Sequence, residues 1–420
     1  MSDNSDNELS LDILRFSTII RDHNIDKETI TNALNIVKQF IIDRQLIIFG
    51  GLAIDYALRL YGSSIYIDEE LPDYDCLSPT NVDDAYDLGE LLNNLGFENV
   101  KVIRAKHPET MRVRVNLITV ADIGYIPLQF YEQYKILNYK QMRILHPDVQ
   151  RLDLHKAYCF PFMNAPLEDI FNRWGKDIYR FNQYEQYYPI KIPKLELSFV
   201  KQRYIIDRKI INNTQYAVHG FVAYALYCKE FLKYNEKYDE LDILDINIRN
   251  NEYTLTLPDI NENIAFILVT HKQYNEGKYN KILEIIPDHD MIDLPEDNTL
   301  IIYYINYLSI VTIDNIQVVN IQYLLVYFLF YYNFYPNTSY RNVFGKFYVH
   351  LLNMINIMET KQDKSQVFLP SLHMLGPEPL FRPVTDTKLL PINYTPSKAN
   401  TRQKFDYSNF KMSGEEKTSQ

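Results

Sequence analysis

Apolar positions in the first sixty residues switch between helical and strand spacing. Residues 26 to 43 repeat apolar side chains every three or four positions, which predicts an amphipathic helix. The apolar run at 46–49 predicts a buried strand, which ends on Gly50-Gly51 and continues directly into a second helical pattern over 52–60. The pattern therefore predicts a strand joined to a helix by two glycines.

The same alternation continues to residue 127 and places acidic residues on strands. A short strand carries Asp73-Tyr74-Asp75, and an amphipathic helix follows over 78–96. Two β-like segments come next, at 100–103 and 111–120, and the second ends on Asp122. The predicted order is strand, helix, acidic strand, helix, hairpin and a last strand that ends in an aspartate.

The rest of the chain predicts further helices and a second region of short strands. The pattern is mainly helical over 128–235, including a helix at 217–232, and alternates over 240–320 before a very apolar helix at 321–335. We therefore predict an α+β fold with a mixed sheet and flanking helices, followed by a second α+β domain. The predicted divisions are a helical segment at 1–45 packed on the first domain, that domain at 46–180, a helical then α+β domain at 181–365, and a Pro-rich and polar, partly disordered tail at 366–420.

Composition and charge exclude several classes of protein. The 420 residues include only three cysteines, which form no CxxC pair, so neither a disulfide framework nor a zinc site is expected. A net charge of −11 argues against a surface that coats nucleic acid, although local basic tracks remain compatible with it. The N-terminus is polar and the apolar run 321–332 is too short to cross a bilayer, so we expect no membrane association and a cytoplasmic location.

The paired aspartates predict a site for divalent metal ions. Residues i and i+2 of a strand point to one face, roughly 6.6 Å apart, so Asp73 and Asp75 can bracket a pair of cations about 3.5–4 Å apart. Asp122 would add a third hard oxygen ligand suited to Mg²⁺, binding only the second ion. A capping role before a Gly turn is the alternative for Asp122. A second DxD, Asp288-His289-Asp290, lacks a preceding Gly-Gly-helix and is interpreted as a loop with solvated carboxylates.

Gly50-Gly51 fits a phosphate-binding turn. Without Cβ atoms, backbone N–H groups at a helix N-terminus can approach a phosphate closely. The alternative is a plain tight turn between strand and helix, which Gly-Gly also favours. The position of the two glycines directly before the acidic strand favours the phosphate-binding interpretation and, with the metal site, predicts nucleotidyl transfer.

Four stretches carry a resemblance to a known family: FGGLAIDYALRL, GSSIY, LPDYDCLSP and RVRVNLITVADIGYIP. Together they resemble the nucleotidyltransferase fold of the DNA polymerase beta superfamily, and in particular the poly(A) polymerase catalytic subunits of large cytoplasmic DNA viruses. The matching region, 50–127, covers about a fifth of the chain, and weaker similarity continues to about residue 235.

The resemblance implies addition of AMP from ATP to an RNA 3′ end with Mg²⁺ or Mn²⁺. It assigns functional positions to Gly50, Gly51, Asp73, Asp75 and Asp122. The superfamily pattern usually reads Gly-Ser after the first strand, whereas this chain has Gly51 in the second position. Ser63 or Ser64 of the inserted GSSIY segment are the residues expected to replace that serine.

Contacts to the base and to RNA are less specific. Tyr224 and Lys229, on the predicted 217–232 helix, are candidates for nucleotide binding, and the alternative is that aromatic residues at helical spacing belong to a core. A basic cluster inside the catalytic region is a candidate RNA-binding surface, and a solvated face is the alternative. The cluster comprises Arg104, Lys106, Arg112 and Arg114.

The resemblance also implies partners and a location. Related viral enzymes work as homodimers or with a separate processivity partner, and the apolar stretch at 300–335 would suit either a dimer interface or a buried core. We expect action in the host cytoplasm or in viral factories, with packaging into the virion. Two alternatives stay open: another nucleotidyltransferase of this fold with a different acceptor, and an inactive RNA-binding or scaffold subunit.

Overall fold

The computed structural model describes most of the chain between residues 27 and 402. The described residues are 27–68, 71–105, 110–159, 167–192, 199–205, 216–235, 246–249, 252–258, 266–271, 289–294, 298–305, 310–335, 338–360, 392–398 and 402. They group into two compact units. The first comprises Met1–Gln150, Arg180–Tyr188 and Pro383–Phe410, and the second Arg151–Tyr179, Pro189–Arg382 and Lys411–Gln420.

These units differ from the predicted domains at both ends of the catalytic region. The first continuous segment of the first unit ends at 150 rather than 180, and residues 180–188 belong to this unit as a separate segment. Residues 383–410, placed by the sequence in a polar tail, also belong to the first unit. The pattern of apolar positions reports local periodicity, and it carries no information about which distant segment an element joins.

The secondary structure of the first unit follows the predicted order closely. Its elements are α1 (Lys27–Asp43), β1 (Ile47–Ile48), α2 (Gly50–Arg59), β2 (Asp75–Ser78), α3 (Asn81–Asn94), β3 (Lys101–Arg104), β4 (Thr110–Val115), β5 (Ile118–Tyr125), α4 (Leu128–Gln133), β6 (Ile136–Tyr139) and β7 (Met142–Leu145). Gly96 has φ +89, the left-handed conformation typical of a glycine just beyond a helix end.

The remaining elements alternate helices with short strands. They are α5 (Pro147–Cys159), α6 (Leu167–Tyr187), β8 (Phe199–Ile205), β9 (Tyr216–His219), α7 (Gly220–Leu232), β10 (Ile246–Arg249), β11 (Glu252–Pro258), β12 (Phe266–His271), β13 (His289–Leu294), β14 (Asn298–Ile305), β15 (Ile310–Ile313), β16 (Ile316–Val319), α8 (Ile321–Phe334), α9 (Thr338–Thr360) and β17 (Asn393–Tyr394). The predicted 217–232 helix is therefore a strand and a helix, which separate at Gly220 with φ +66. The second DxD lies at the start of β13 rather than in a loop, with Asp288 outside the described residues.

One mixed sheet organises the first unit. Its eight strands run in the order β17-β3-β4-β5-β2-β1-β7-β6. The pairs β2–β5 and β1–β7 are parallel, and the other neighbours are antiparallel. Helix α1 packs on β5, and helix α3 packs on β4 and β5, through apolar side chains that are fully buried, among them Val37, Leu88 and Val113. The predicted α+β fold with a mixed sheet is confirmed.

The predicted strand at 111–120 is a hairpin. β4 ends at Val115 and β5 begins at Ile118, while Asn116 and Leu117 have φ +48 and +70. Two consecutive left-handed residues form the two-residue turn whose twist matches a β-hairpin. Because the second position holds Leu117 instead of the usual glycine, the sequence does not mark this turn. As a result Asp122 lies inside β5 and not at a strand end.

The segment near residue 400 covers the free edge of β3. β17 pairs antiparallel with β3, and the Arg402 guanidinium donates two hydrogen bonds to Glu90 on α3, at 2.8 and 2.6 Å. The Tyr394 ring packs edge-on against Tyr86 with centroids 4.9 Å apart. Covering an edge strand in this way removes a template for pairing with other chains.

The second unit has its own aromatic core. It contains a six-stranded sheet, β13-β14-β12-β9-β16-β15, and a three-stranded sheet, β10-β11-β8. Phe221, Phe328 and Phe347 meet with ring centroids 5.2 to 5.6 Å apart. Helix α8 is buried along most of its length, which fits the core alternative for this apolar stretch. Among the described helices, none is both long and apolar enough to cross a membrane.

Two buried histidines make the stability of the second unit depend on pH. Burial lowers the pKa of His155 and of His219 to about 3, from the ordinary histidine value of 6.5. Below pH ~6.5, the two histidines therefore bind protons in the unfolded chain but stay neutral in the folded chain. Stability is fully present above that pH and falls by about 1.4 kcal/mol per pH unit for each histidine as the pH drops toward 3.

Urea unfolding at a series of pH values between 7 and 4 measures this dependence. We expect His219→Phe, whose ring can occupy the space beside Tyr323 and Tyr327, to reduce the slope of the free energy of unfolding against pH by the share of one histidine. An unchanged slope in this variant would show that His219 does not contribute.

Candidate active site

Two aspartates face each other across neighbouring strands in the middle of the first sheet. Asp75, the first residue of β2, is the register partner of Asp122 on the parallel strand β5. The Asp122 backbone N–H donates to the Tyr74 carbonyl at 2.9 Å and locks this register. Register partners on adjacent strands project their side chains to the same face of the sheet, so the two carboxylates are neighbours.

Asp73 reaches the same place from just outside the strand. It precedes β2 in an irregular segment, where its carbonyl accepts a hydrogen bond from the Asp75 N–H at 3.2 Å, and its side chain is exposed. The prediction that both aspartates lie on one strand is therefore wrong for Asp73. The two carboxylates are nevertheless close enough for the charge of Asp73 to affect the ionisation of Asp75.

The carboxylates carry more negative charge than their surroundings balance. Burial raises the pKa of Asp75 well above its ordinary value, and the negative charges of Asp73 and Asp122 raise it further. The guanidinium groups of Arg112 and Arg180 act in the opposite direction. Perturbed carboxylates of this kind cluster at functional sites, where a bound cation relieves the repulsion.

Arg112 is paired with Asp122. It lies opposite Asp122 in the register of β4 and β5, and its Nε and Nη2 donate to the two carboxylate oxygens at 2.8 and 2.5 Å. Such a bidentate pair is among the stronger charge-assisted contacts in proteins. Arg112 was predicted to bind RNA, and here its guanidinium is engaged by a residue of the acidic cluster.

The donor set suits a divalent cation, although it is not closed around one. No group of three His, Cys, Asp or Glu side chains in the described part of the chain is arranged to hold a metal ion as it stands. Asp73 and Asp75 are hard oxygen donors in a locally negative site, which is what Mg²⁺ and Mn²⁺ require. The third candidate ligand, Asp122, has both carboxylate oxygens committed to Arg112.

Gly50 and Gly51 start helix α2 beside the acidic cluster, and each lacks a Cβ for its own reason. Gly50 has φ +69, and a Cβ there would lie 3.2 Å from Oδ2 of Asp75. A Cβ on Gly51 would lie 2.2 Å from the hydroxyl of Tyr66 and 2.7 Å from Nη2 of Arg180. The glycines therefore allow the helix start to approach three functional groups closely.

Tyr66 and Arg180 are residues that the sequence argument missed. Tyr66 belongs to the GSSIY stretch and Arg180 to the region of weaker similarity that continues to about residue 235, but no motif spacing singles them out. Ser63 and Ser64, expected to supply a hydroxyl, lie in the loop after α2, where the Ser63 N–H donates to the Leu58 carbonyl at 3.1 Å. The hydroxyl beside Gly51 is that of Tyr66.

The predicted RNA-binding residues divide between the two faces of the sheet. β3 pairs Arg104 with Met111, the residue before Arg112, so Arg104 projects to the face opposite Asp122, where burial lowers the pKa of its guanidinium. RNA binding by Arg104 stays a prediction, and it concerns the face opposite the acidic cluster. Arg114, two residues after Arg112 on β4, shares the face of Arg112. Lys106 lies outside the described residues.

The predicted nucleotide-binding residues of the second unit have other contacts. Tyr224 is fully buried, with its hydroxyl 3.1 Å from Nδ1 of His350 and its ring against Phe347. Because no face of the ring is open, nucleotide stacking on Tyr224 is corrected to a core role. Lys229 is half exposed, and its ammonium pairs with Asp314 at 2.8 Å.

A mixed sheet that carries acidic residues on adjacent strands, next to a helix that begins on two glycines, defines the first unit as a nucleotidyltransferase domain. The family profile described as "Poly(A) polymerase catalytic subunit" matches residues 35–164. A poly(A) polymerase catalytic subunit from African swine fever virus is 36% identical over 337 residues, which cover 75% of this chain and 69% of that protein. The chain therefore belongs to the family of poly(A) polymerase catalytic subunits, nucleotidyltransferases of mRNA polyadenylation.

A further relative and a solved structure are also similar to this chain. The protein of the same description from Acanthamoeba polyphaga mimivirus is 24% identical over 306 residues, covering 69% of this chain and 50% of that protein. The crystal structure of the Megavirus polyadenylate synthase superposes with a TM-score of 0.68, covering 94% of this chain and 86% of that chain at 16% identity, so the two share a fold. The predicted family and the predicted class of enzyme are confirmed. Enzymes of this family use a nucleotide substrate and, in general, divalent metal ions.

Proposed function

We propose that the acidic cluster of the first unit transfers AMP from ATP to the 3′ end of RNA. One observation carries the proposal: Asp75 and Asp122 are register partners on β2 and β5, directly beside the glycine start of α2. Carboxylates next to a helix N-terminus can accommodate metal ions and phosphates within one small volume. Gly50 and Gly51 would admit the phosphates of ATP to this volume.

Asp73, Asp75 and Asp122 are the residues proposed to hold Mg²⁺ or Mn²⁺. When bound, the ions neutralise charge that develops on the phosphates and lower the pKa of the attacking hydroxyl. The raised pKa of Asp75 supports this assignment, because two neighbouring carboxylates destabilise its ionised form until a cation compensates. Asp122 would join the ligand set on release from Arg112.

The proposed reaction is a single in-line displacement. The O3′ of the RNA forms a bond to the α-phosphorus of ATP, the bond between that phosphorus and the bridging oxygen breaks, and pyrophosphate leaves with the electron pair. The proton of the 3′ hydroxyl passes to solvent. The chain contributes by fixing both reactants in line and by excluding other orientations, which can supply much of the rate enhancement.

Incubation of the purified protein with a labelled RNA, Mg²⁺ or Mn²⁺, and each nucleoside triphosphate in turn tests the proposal. We expect stepwise extension with ATP and little with GTP, CTP or UTP. Extension of a small molecule, a protein or tRNA in place of the RNA would favour the alternative acceptor. Lack of transfer to any of these acceptors would favour the inactive subunit.

A partner subunit and a cellular location are also part of the proposal. The names of the relatives describe catalytic subunits, and we infer a separate processivity partner in preference to a homodimer. Because relatives come from large DNA viruses, we place the activity in the cytoplasm of an infected cell, and we propose packaging into the virion. Co-purification from infected cells and protein detection in purified particles test the two statements.

Arg112 and Arg114 allow a metal-related role to be separated from an RNA-binding role. Arg112→Gln removes the cation that competes for Asp122. We therefore expect Mn²⁺ to raise the melting temperature of this variant more than that of the parent. Arg114→Gln should leave the Mn²⁺ response unchanged and weaken RNA binding, with the salt dependence reduced by about one phosphate contact.

Thermal unfolding with and without Mn²⁺ and RNA titration at several salt concentrations measure both effects. If Arg112→Gln instead weakened RNA binding and left the Mn²⁺ response unchanged, Arg112 would be an RNA contact despite its pairing with Asp122.

A further inference from the structure

A hydroxyl and a guanidinium meet directly above the start of helix α2. Nη2 of Arg180 donates to the hydroxyl of Tyr66 at 2.9 Å, and both groups lie within 2.7 Å of the position that a Cβ on Gly51 would occupy. The preceding residue, Gly50, approaches the acidic cluster in the same way, since a Cβ on it would lie 3.2 Å from Oδ2 of Asp75. The pair is therefore part of the site and not of a separate surface.

Tyr66 is held in place by its own backbone. Its N–H donates to Oδ1 of Asp55 at 3.0 Å, and its carbonyl accepts from Nη2 of Arg59 at 3.0 Å. Asp55 is buried in α2, and its carboxylate also accepts the Ile65 N–H at 2.9 Å. The loop after α2 is thus fastened to the helix, which fixes the direction of the Tyr66 side chain.

The start of α2 carries no side-chain cap. Phe49 is the N-cap residue and provides no side-chain hydrogen bond to the first turn. The first N–H groups of a helix lack partners within the helix and carry its positive dipole end. Since Tyr66 accepts the hydrogen bond from Arg180, its own hydroxyl proton is left to donate elsewhere.

We propose that Tyr66 and Arg180 bind the polyphosphate of the incoming nucleoside triphosphate. This inference rests on the proposed function of the site. A phosphate chain that enters beside Gly51 meets a hydroxyl donor and a planar guanidinium, the side chain best matched to phosphate oxygens. This proposal also explains why residue 51 is a glycine, because any side chain there would displace both donors.

Binding measurements with inorganic tripolyphosphate, ATP and AMP in the presence of Mg²⁺ test the proposal. We expect Tyr66→Phe and Arg180→Gln each to weaken binding of tripolyphosphate and ATP about tenfold, while AMP, which lacks the β and γ phosphates, binds as before. Arg180→Lys keeps the charge without the planar fork and should give an intermediate loss. Tyr61→Phe, an exposed tyrosine at the end of the same helix, is the matched control and should bind all three probes normally.

Three results would overturn the inference. Unchanged affinity for tripolyphosphate in Tyr66→Phe or in Arg180→Gln would show that the group only stabilises the loop. An equal loss for AMP and tripolyphosphate would indicate a general distortion of the site, as would a loss in Tyr61→Phe. These results differ from failure of the proposed function, in which the unaltered protein itself would not add AMP from ATP to RNA.

Discussion

Replacement of Asp75 by asparagine should lower kcat/KM for ATP-dependent RNA extension by about 10³-fold. Asparagine preserves the size of the side chain and the backbone pairing of β2 with β5, and it removes the charge that a divalent ion needs. We expect no loss of stability in the metal-free protein. The pKa of Asp75 is raised in the folded state, so above the ordinary carboxyl pKa its ionised form lowers the free energy of unfolding. A neutral asparagine removes this destabilisation.

The combination of lost activity and retained stability is the distinctive result. Single-turnover extension assays measure the first, and thermal unfolding without metal ions measures the second. Asp290→Asn is a matched control, because Asp290 belongs to the other DxD, on β13 of the second unit. Extension by Asp75→Asn at the rate of the unaltered protein would place the chemistry elsewhere.

Replacement of Gly51 by alanine should reduce kcat/KM by about 10²-fold, because a displacement of about 1 Å in a positioned group can cost that much. The new Cβ would stand 2.2 Å from the Tyr66 hydroxyl and 2.7 Å from Nη2 of Arg180, so both groups must move. Tyr66 cannot move freely, since Asp55 and Arg59 hold its backbone. We therefore expect reduced thermal stability together with the reduced activity.

A double substitution separates crowding from other effects of the alanine. Tyr66→Phe removes the hydroxyl and leaves the nearest ring carbon 3.3 Å from the new Cβ. The stability of Gly51→Ala with Tyr66→Phe should then exceed the value expected from adding the two single effects. Strict additivity of the two effects in thermal unfolding would argue against the steric explanation. Gly62→Ala is a contrasting control: Gly62 has a positive φ, +76, with no atom within 4 Å of its Cβ position, so alanine there adds backbone strain without the crowding expected at Gly51.

Local periodicity was sufficient to predict much of the first unit. Helix α1, the Gly50-Gly51 junction and helix α3 follow from side chains whose spacing reports directly on a helix or a strand. The hairpin at Asn116 and Leu117 was missed because turn chemistry is recognised by glycine, and this turn has none. The strand β9 was merged into α7 because a short apolar run fits either structure.

The candidate site shows the same division. Asp73, Asp75 and Asp122 were chosen from the order of elements, and they lie together because β2 and β5 are parallel neighbours. The face of the sheet on which each arginine lies depends on register, which a sequence does not state. In the observed register, Arg104 projects to the face opposite Asp122, and Arg112 lies opposite Asp122 on the neighbouring strand.

The sequence by itself determined the class of this protein: a glycine turn, an acidic strand and the motifs around them identify a viral-type poly(A) polymerase catalytic subunit. These features are local, and each is set by the conformational preferences of a few adjacent residues. Only the tertiary structure decided that Arg112 occupies the third carboxylate and that the hydroxyl beside Gly51 belongs to Tyr66, with Arg180 at its side. These contacts join residues that are far apart in the sequence, since Gly51 and Arg180 are separated by 129 positions. They arise from strand register and helix packing, which no short segment encodes.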